Sequence, residues 1–118
     1  MTMTARAKAR VHALHGVARV ALRVLPPARA RAVVGAVARM APPLASADEA
    51  READRVLGSA GSCLTRALAI SALLPGSDVA IGADPGHAAR LHAHAWVELN
   101  DHPVTGTESL DANRVAKF

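Results

Sequence analysis

The single cysteine, Cys63, follows a run of small residues, Gly58-Ser59-Ala60-Gly61-Ser62, and stands where that run enters an apolar-periodic segment. A thiolate placed there has the unpaired amides of a helix N-terminus beside it. Those amides favour negative charge and can later receive the oxyanion of a tetrahedral intermediate. By residue type alone a lone cysteine is a small buried hydrophobe; its position directly after Gly61-Ser62 favours the reactive reading. His94 lies within the stretch 91–99, LHAHAWVEL, between two alanines that leave room around its ring. An imidazole held on a rigid strand and facing a helix N-terminus is what Cys-His chemistry requires. His92 shares the face of His94 and competes for the role, and neither periodicity nor spacing separates them. Cys63, His87, His92 and His94 are also zinc-ligand types, but the paired C-x-x-C spacing of structural zinc sites is missing and no metal is expected. With no P-loop or dinucleotide glycine fingerprint either, no cofactor is expected.

The elements that must position these residues are legible in the periodicity. Val11, Leu14, Ala18, Ala21, Leu22 and Leu25 recur at spacings of three and four, predicting a helix over 5–25 that Pro26-Pro27 ends. A second helix is expected over 28–40, burying Val33, Val34, Val37 and Met40, closed by Pro42-Pro43. Ser46 has the chemistry of an N-cap, with Asp48 and Glu49 suited to the first turn of a third helix reaching Leu57. The fourth helix should run from Cys63 to Leu74 and stop at Pro75-Gly76. Beyond it the pattern turns to strands. A short strand is expected over 78–82, a turn at Asp84-Pro85-Gly86, and the clearest strand over 91–99. There Leu91, Ala93, Ala95, Val97 and Leu99 alternate with His92, His94, Trp96 and Glu98. Asn100-Asp101-His102 signals a turn, after which 103–105 can pair back. Helices first and strands afterwards indicate an α+β fold: N-terminal helices followed by a small antiparallel sheet.

The bulk composition narrows the class. At 118 residues the chain is expected to form a single domain, 1–118, with a helical lead-in over 1–57 and a catalytic helix and sheet over 58–118. Apolar residues make up 51%, which argues against disorder, but with one Phe, one Trp and no Tyr the core should be thin. Residues 1–47 carry eight Lys or Arg and no acid, whereas 48–118 hold ten acids against six bases, so the net +4 is +8 followed by −4. A basic front half suits an acidic protein partner, a nucleic acid or anionic lipid, or is the solvated face of ordinary helices. The scarcity of aromatic rings removes a stacking platform, so nucleic acid is not the expected partner. No stretch has the roughly 20 apolar residues of a membrane helix. One cysteine permits no internal disulfide and suits a reducing, cytoplasmic setting.

Two segments together resemble a known family. Ser62-Cys63-Leu64-Thr65-Arg66-Ala67-Leu68-Ala69, followed by Ala93-His94-Ala95-Trp96-Val97-Glu98, is similar to the lasso-peptide leader peptidases, cysteine proteases with a papain- or transglutaminase-like core. The resemblance implies that Cys63 is the nucleophile and His94 the base, with His92 left as a flanking residue. Its motifs span about 58–106. The family's third catalytic member is an acid on the strand returning from the hairpin. Here Glu108 arrives slightly late and Asp101 slightly early, and Glu108 is the favoured candidate. Arg66, one turn along from Cys63, is expected to be structural by its place in the family pattern. Trp96 is expected either in the core or along a substrate groove. The resemblance further implies a ribosomally made precursor peptide as substrate, its leader held by a separate recognition protein. The freed core would pass to an ATP-dependent cyclase. Two rivals stand beside this reading: a transglutaminase-like hydrolase of another amide, and a non-catalytic basic adaptor for a protein or nucleic acid.

Overall fold

The computed structural model describes residues 3–84, 92–105 and 113–118. Four helices come first: α1 (Ala5–Val24), α2 (Pro27–Ala38), α3 (Ala47–Leu57) and α4 (Cys63–Leu73). They are followed by β1 (Ser77–Asp84), β2 (His92–Leu99), β3 (His102–Pro103) and β4 (Asn113–Lys117), in one antiparallel sheet of order β3-β2-β1-β4. The α+β expectation holds, helices preceding a small antiparallel sheet.

Each helix begins where its local chemistry says it should. Thr4 caps α1 by accepting from the Ala7 amide at 3.1 Å, and Ser46 caps α3 by accepting from the Glu49 amide at 3.3 Å. Pro27 opens α2 at a position where its missing N–H costs nothing. The second helix buries a different stripe from the one the valines suggest. Ala30, Val34 and Ala38 are buried, while Val33 and Met40 are exposed, Met40 at 84%. α2 packs against α1 and α4, and the stripe it buries there is made mostly of alanine.

The centre of the molecule is α4. Between Thr65 and Leu73 its residues other than Arg66 and Ala72 are buried, because α1, α2 and α3 cover one side and the sheet the other. Leu68 and Ile70 are the largest side chains removed completely from solvent. The sheet offers α4 its odd-numbered face. Val79, Ala95 and Val97 join the core, with Ile81 and Leu99 packed against it, as expected from the in-register pairs Val79↔Val97 and Ile81↔Ala95. Asn100 and Asp101 both have positive φ, 54° and 63°, which is the two-residue I′ geometry whose twist matches that of the hairpin strands.

The sequence pattern announces no element beyond 103–105, yet a C-terminal strand is present. β4 pairs with β1, and Phe118 extends the pairing: its amide reaches the Val79 carbonyl at 2.8 Å and its carbonyl the Val79 amide at 2.6 Å. The strand's own sequence is short and mixed; its order comes from the free edge of β1, which no local pattern announces.

Candidate active site

The head of α4 is built by a reciprocal cap. Ser62 Oγ accepts from the Thr65 amide at 3.2 Å, while Thr65 Oγ1 accepts from the Ser62 amide at 3.0 Å. The Arg66 amide goes to the Ser62 carbonyl at 3.2 Å. Among the described residues, no hydrogen bond takes the amides of Cys63 and Leu64, the first two of the helix. They are the donors available to an anion at this place. Cys63 is half-buried and packed against the core.

The loop leading to Cys63 is pinned from both sides. Arg66 reaches back to the carbonyls of Ala60 at 3.0 Å and Gly61 at 3.4 Å, which makes it the structural residue it was expected to be. Gly61 has φ 63°, and a β-carbon on it would stand 2.6 Å from Thr65 Oγ1 and 2.8 Å from His15 Nε2. Only glycine fits that turn. The second contact reveals a residue that sequence reasoning passed over. His15 sits on the buried face of α1, 4% exposed, with Nε2 2.8 Å from Thr65 Oγ1. Its place in the helical period, one residue after Leu14, was the only available signal. Burial lowers its pKa, as do the nearby charges of Arg19 and Arg66 and the ring of His12, so the ring is held neutral.

The strand side of the site follows from direction. Ser77 Oγ, at the start of β1, donates to the carbonyl of Leu74 at 2.7 Å and lies 3.1 Å from Ser71 Oγ, anchoring β1 at the C-terminal end of α4. The chain then runs back along the helix. Cys63 is about 12 Å along the helix from Ser71, and Gly82 about 16 Å along the strand from Ser77. His94 pairs with Gly82 in register. The topology therefore brings Cys63 and His94 to the same end of the domain, on elements that touch. Strand alternation gives His94 the even face, with Ala80, Trp96 and Glu98, and not the face packed on α4. His94 is half-buried. His92 opens β2 opposite Asp84.

Trp96 belongs to the interior, at 4% exposure, and its Nε1 donates to Glu98 Oε2 at 2.8 Å. Glu98, itself 5% exposed, thereby fixes the indole that closes the even face next to His94. Asp101 is removed from the candidates for a third catalytic group. It stands in the hairpin turn with Oδ1 2.9 Å from Lys117 Nζ, and the five residue steps from His94 to Leu99 alone span about 17 Å. Glu108, His87 and the Pro85-Gly86 turn lie outside the described residues. Among the described residues no three His, Cys, Asp or Glu side chains converge as a metal site.

Arg31 is not part of a free basic surface. Its Nε lies 3.3 Å from Ser71 Oγ and its Nη2 3.2 Å from the Ser71 carbonyl, where it satisfies the C-terminal end of α4. Gly35, one turn on, leaves the space its guanidinium occupies. Burial lowers the pKa of this guanidinium while nearby Asp78 opposes the shift.

A central helix with a cysteine at its head, packed on an antiparallel sheet that carries a histidine at the same end, defines a papain-like α+β domain. The chain belongs to the transglutaminase-like superfamily, which it matches over residues 3–116. That span includes α1 and the other helices ahead of Cys63. No curated protein and no solved structure matches the chain. Among the described residues, no helix is long and apolar enough to cross a membrane.

Proposed function

We propose that the protein is a cysteine peptidase that removes the leader from a ribosomally made precursor peptide in lasso-peptide biosynthesis. The observation that carries this reading is the half-buried Cys63 as first residue of a capped, core-packed helix, with His94 at the same end of the adjoining sheet. Membership of the transglutaminase-like superfamily supports the thiol chemistry, and the two segments 62–69 and 93–98 support the finer assignment to leader removal.

In this reading Cys63, as thiolate, attacks the carbonyl carbon of the leader–core amide. The amides of Cys63 and Leu64 receive the oxyanion as the C–S bond forms. His94, which took the thiol's proton when the thiolate formed, gives it to the departing core amine as the C–N bond breaks, leaving the leader as a thioester. Water, deprotonated by His94, then attacks the thioester and releases the leader acid and the thiolate. Glu108 is proposed to orient the His94 ring. The freed core amine is the nucleophile that an ATP-dependent cyclase would join to an acidic side chain. A separate recognition protein is proposed to grip the leader, and the exposed arginines of α1, Arg19 and Arg23, are proposed to meet it. Arg31, bonded into α4, is excluded from that surface.

The test is mass spectrometry of a precursor incubated with the recognition protein and with wild-type, Cys63→Ala or His94→Ala protein. Leader and core masses are expected with wild type alone. A precursor that stays intact with wild type and all partners removes the leader-peptidase reading in favour of a hydrolase of another amide. Unaltered cleavage by Cys63→Ala removes the thiol mechanism. Arg19→Glu with Arg23→Glu is expected to weaken capture of the recognition protein, and unchanged capture removes the docking assignment.

A further inference from the structure

The described structure contains one buried histidine that the proposed reaction does not use, and it touches the turn that presents the nucleophile. His15 comes from α1, 50 residues away in the chain from Thr65. Thr65 Oγ1 has four polar neighbours: the Ser62 amide at 3.0 Å, the Ser62 carbonyl at 2.9 Å, Ser62 Oγ at 3.5 Å and His15 Nε2 at 2.8 Å. A hydroxyl has one proton and two lone pairs. The Ser62 carbonyl can only accept, so we assign the hydroxyl proton to it. We assign the two lone pairs to the Ser62 N–H and to His15, with the hydrogen on Nε2, because the remaining contact, to Ser62 Oγ at 3.5 Å, is the longest of the four. In this arrangement the hydroxyl is saturated, and each of its bonds bears on the turn of which Cys63 is the next residue. Removing the histidine donor frees one lone pair in a buried place and releases Thr65 Oγ1 to rotate, and the Ser62 cap rotates with it.

We infer that His15 is a positioning residue for the nucleophile, acting through Thr65 to hold the head of α4 and with it the Cys63 thiol and the amides beside it. The inference deepens the peptidase reading and rests on Cys63 being the nucleophile. Its function needs a neutral donor, and the surroundings keep the ring neutral: burial first, then Arg19 and His12 from α1 and Arg66 from α4. It also gives α1 a share in the site. A helix with no residue in the reaction contributes the bond that locks the turn, and the missing side chain of Gly61 lets the ring approach.

The experiment uses the full chain with three substitutions. His15→Gln keeps an N–H donor the same number of bonds from the backbone as Nε2, His15→Asn brings the donor one bond short, and His15→Leu fills the space without a donor. Cys63 is the only cysteine, so its rate of alkylation by iodoacetamide at neutral pH reports the thiol alone. That rate, the melting temperature, and kcat and KM for leader removal are measured on each. His15→Leu and His15→Asn are expected to lower the alkylation rate and kcat about tenfold, equivalent to one 1.4 kcal/mol step, with KM unchanged. His15→Gln is expected to stay within about twofold of wild type. A folded His15→Leu with wild-type alkylation and kcat overturns the inference. If His15→Leu does not fold, the Gln and Asn pair decides: equal behaviour of the two overturns it, rescue by Gln alone supports it. The alkylation arm needs no peptide substrate. A changed alkylation rate in a protein that cleaves no leader would sink the peptidase reading and leave the role of His15 standing.

Discussion

Replacing Gly61 by alanine tests the turn ahead of Cys63 at its tightest point. Two separate costs act. The residue has φ 63°, and placing a β-carbon in the left-handed region costs about 1–2 kcal/mol. The new carbon would also stand 2.6 Å from Thr65 Oγ1 and 2.8 Å from His15 Nε2, well inside contact distance. Neither neighbour is the loose end of a flexible chain. Both are buried and bonded to each other, so relief means parting them, at about 1–3 kcal/mol for a buried bond. Together the costs come to about 2–5 kcal/mol, a large share of the roughly 5–15 kcal/mol that holds a domain folded. With a urea slope of about 2 kcal/mol per molar, the unfolding midpoint should fall by roughly 1–2.5 M. The assay is urea unfolding of wild type, Gly61→Ala, His15→Ala and the double variant. In the His15→Ala background the ring is gone, and the Gly61→Ala cost should shrink by about 1 kcal/mol or more. Costs that add to within about 0.5 kcal/mol would refute the idea that ring and turn press on one another.

Gly16, in contrast, lies within α1 with nothing near its missing side chain. Gly16→Ala should therefore raise stability by about 0.5–1 kcal/mol in the same urea assay. Arg31→Met removes the donors on Ser71 and should cost about 1–3 kcal/mol. Arg23→Met on the exposed face of α1 should stay within about 0.5 kcal/mol, and equal losses at the two would show Arg31 to be another surface charge. The lowered pKa of His15 sets a pH dependence. The unfolded chain binds a proton near pH 6.5 that the folded chain refuses, so the contribution is intact above that pH and is lost as pH falls from about 6.5 toward the folded-state value. His15→Gln has no such proton, and its urea midpoint should drop less than that of wild type between about pH 7.5 and 5.5; parallel drops would count against a neutral buried ring.

Much of this protein was decided by residues acting locally. Ser46 and Ser62 mark the starts of α3 and α4 because a hydroxyl before an apolar-periodic run meets amides that no turn of helix can satisfy. Asn100-Asp101 marks the hairpin because these two side chains tolerate positive φ. The alternation over 91–99 marks β2, and the order of helices and strands marks the class. Cys63 was a candidate for the same reason: a reactive type directly after a glycine-serine break, with a second segment carrying His94.

Other features depend on which surfaces meet, which no window of sequence contains. In α2 packing buried Ala30, Val34 and Ala38 and left Val33, and Met40 beyond the helix end, exposed. β4 acquired its strand from the free edge of β1. Arg31 looked like one more base in an acid-free half until α4 ended beside it. His15 looked like a histidine in a basic helix until the packing of α1 on α4 set it against Thr65. Periodicity and capping are short-range, so the sequence by itself determined where the elements lie and which residue heads the central helix. The partners of buried polar groups are long-range, so only the tertiary structure decided what holds that helix in place.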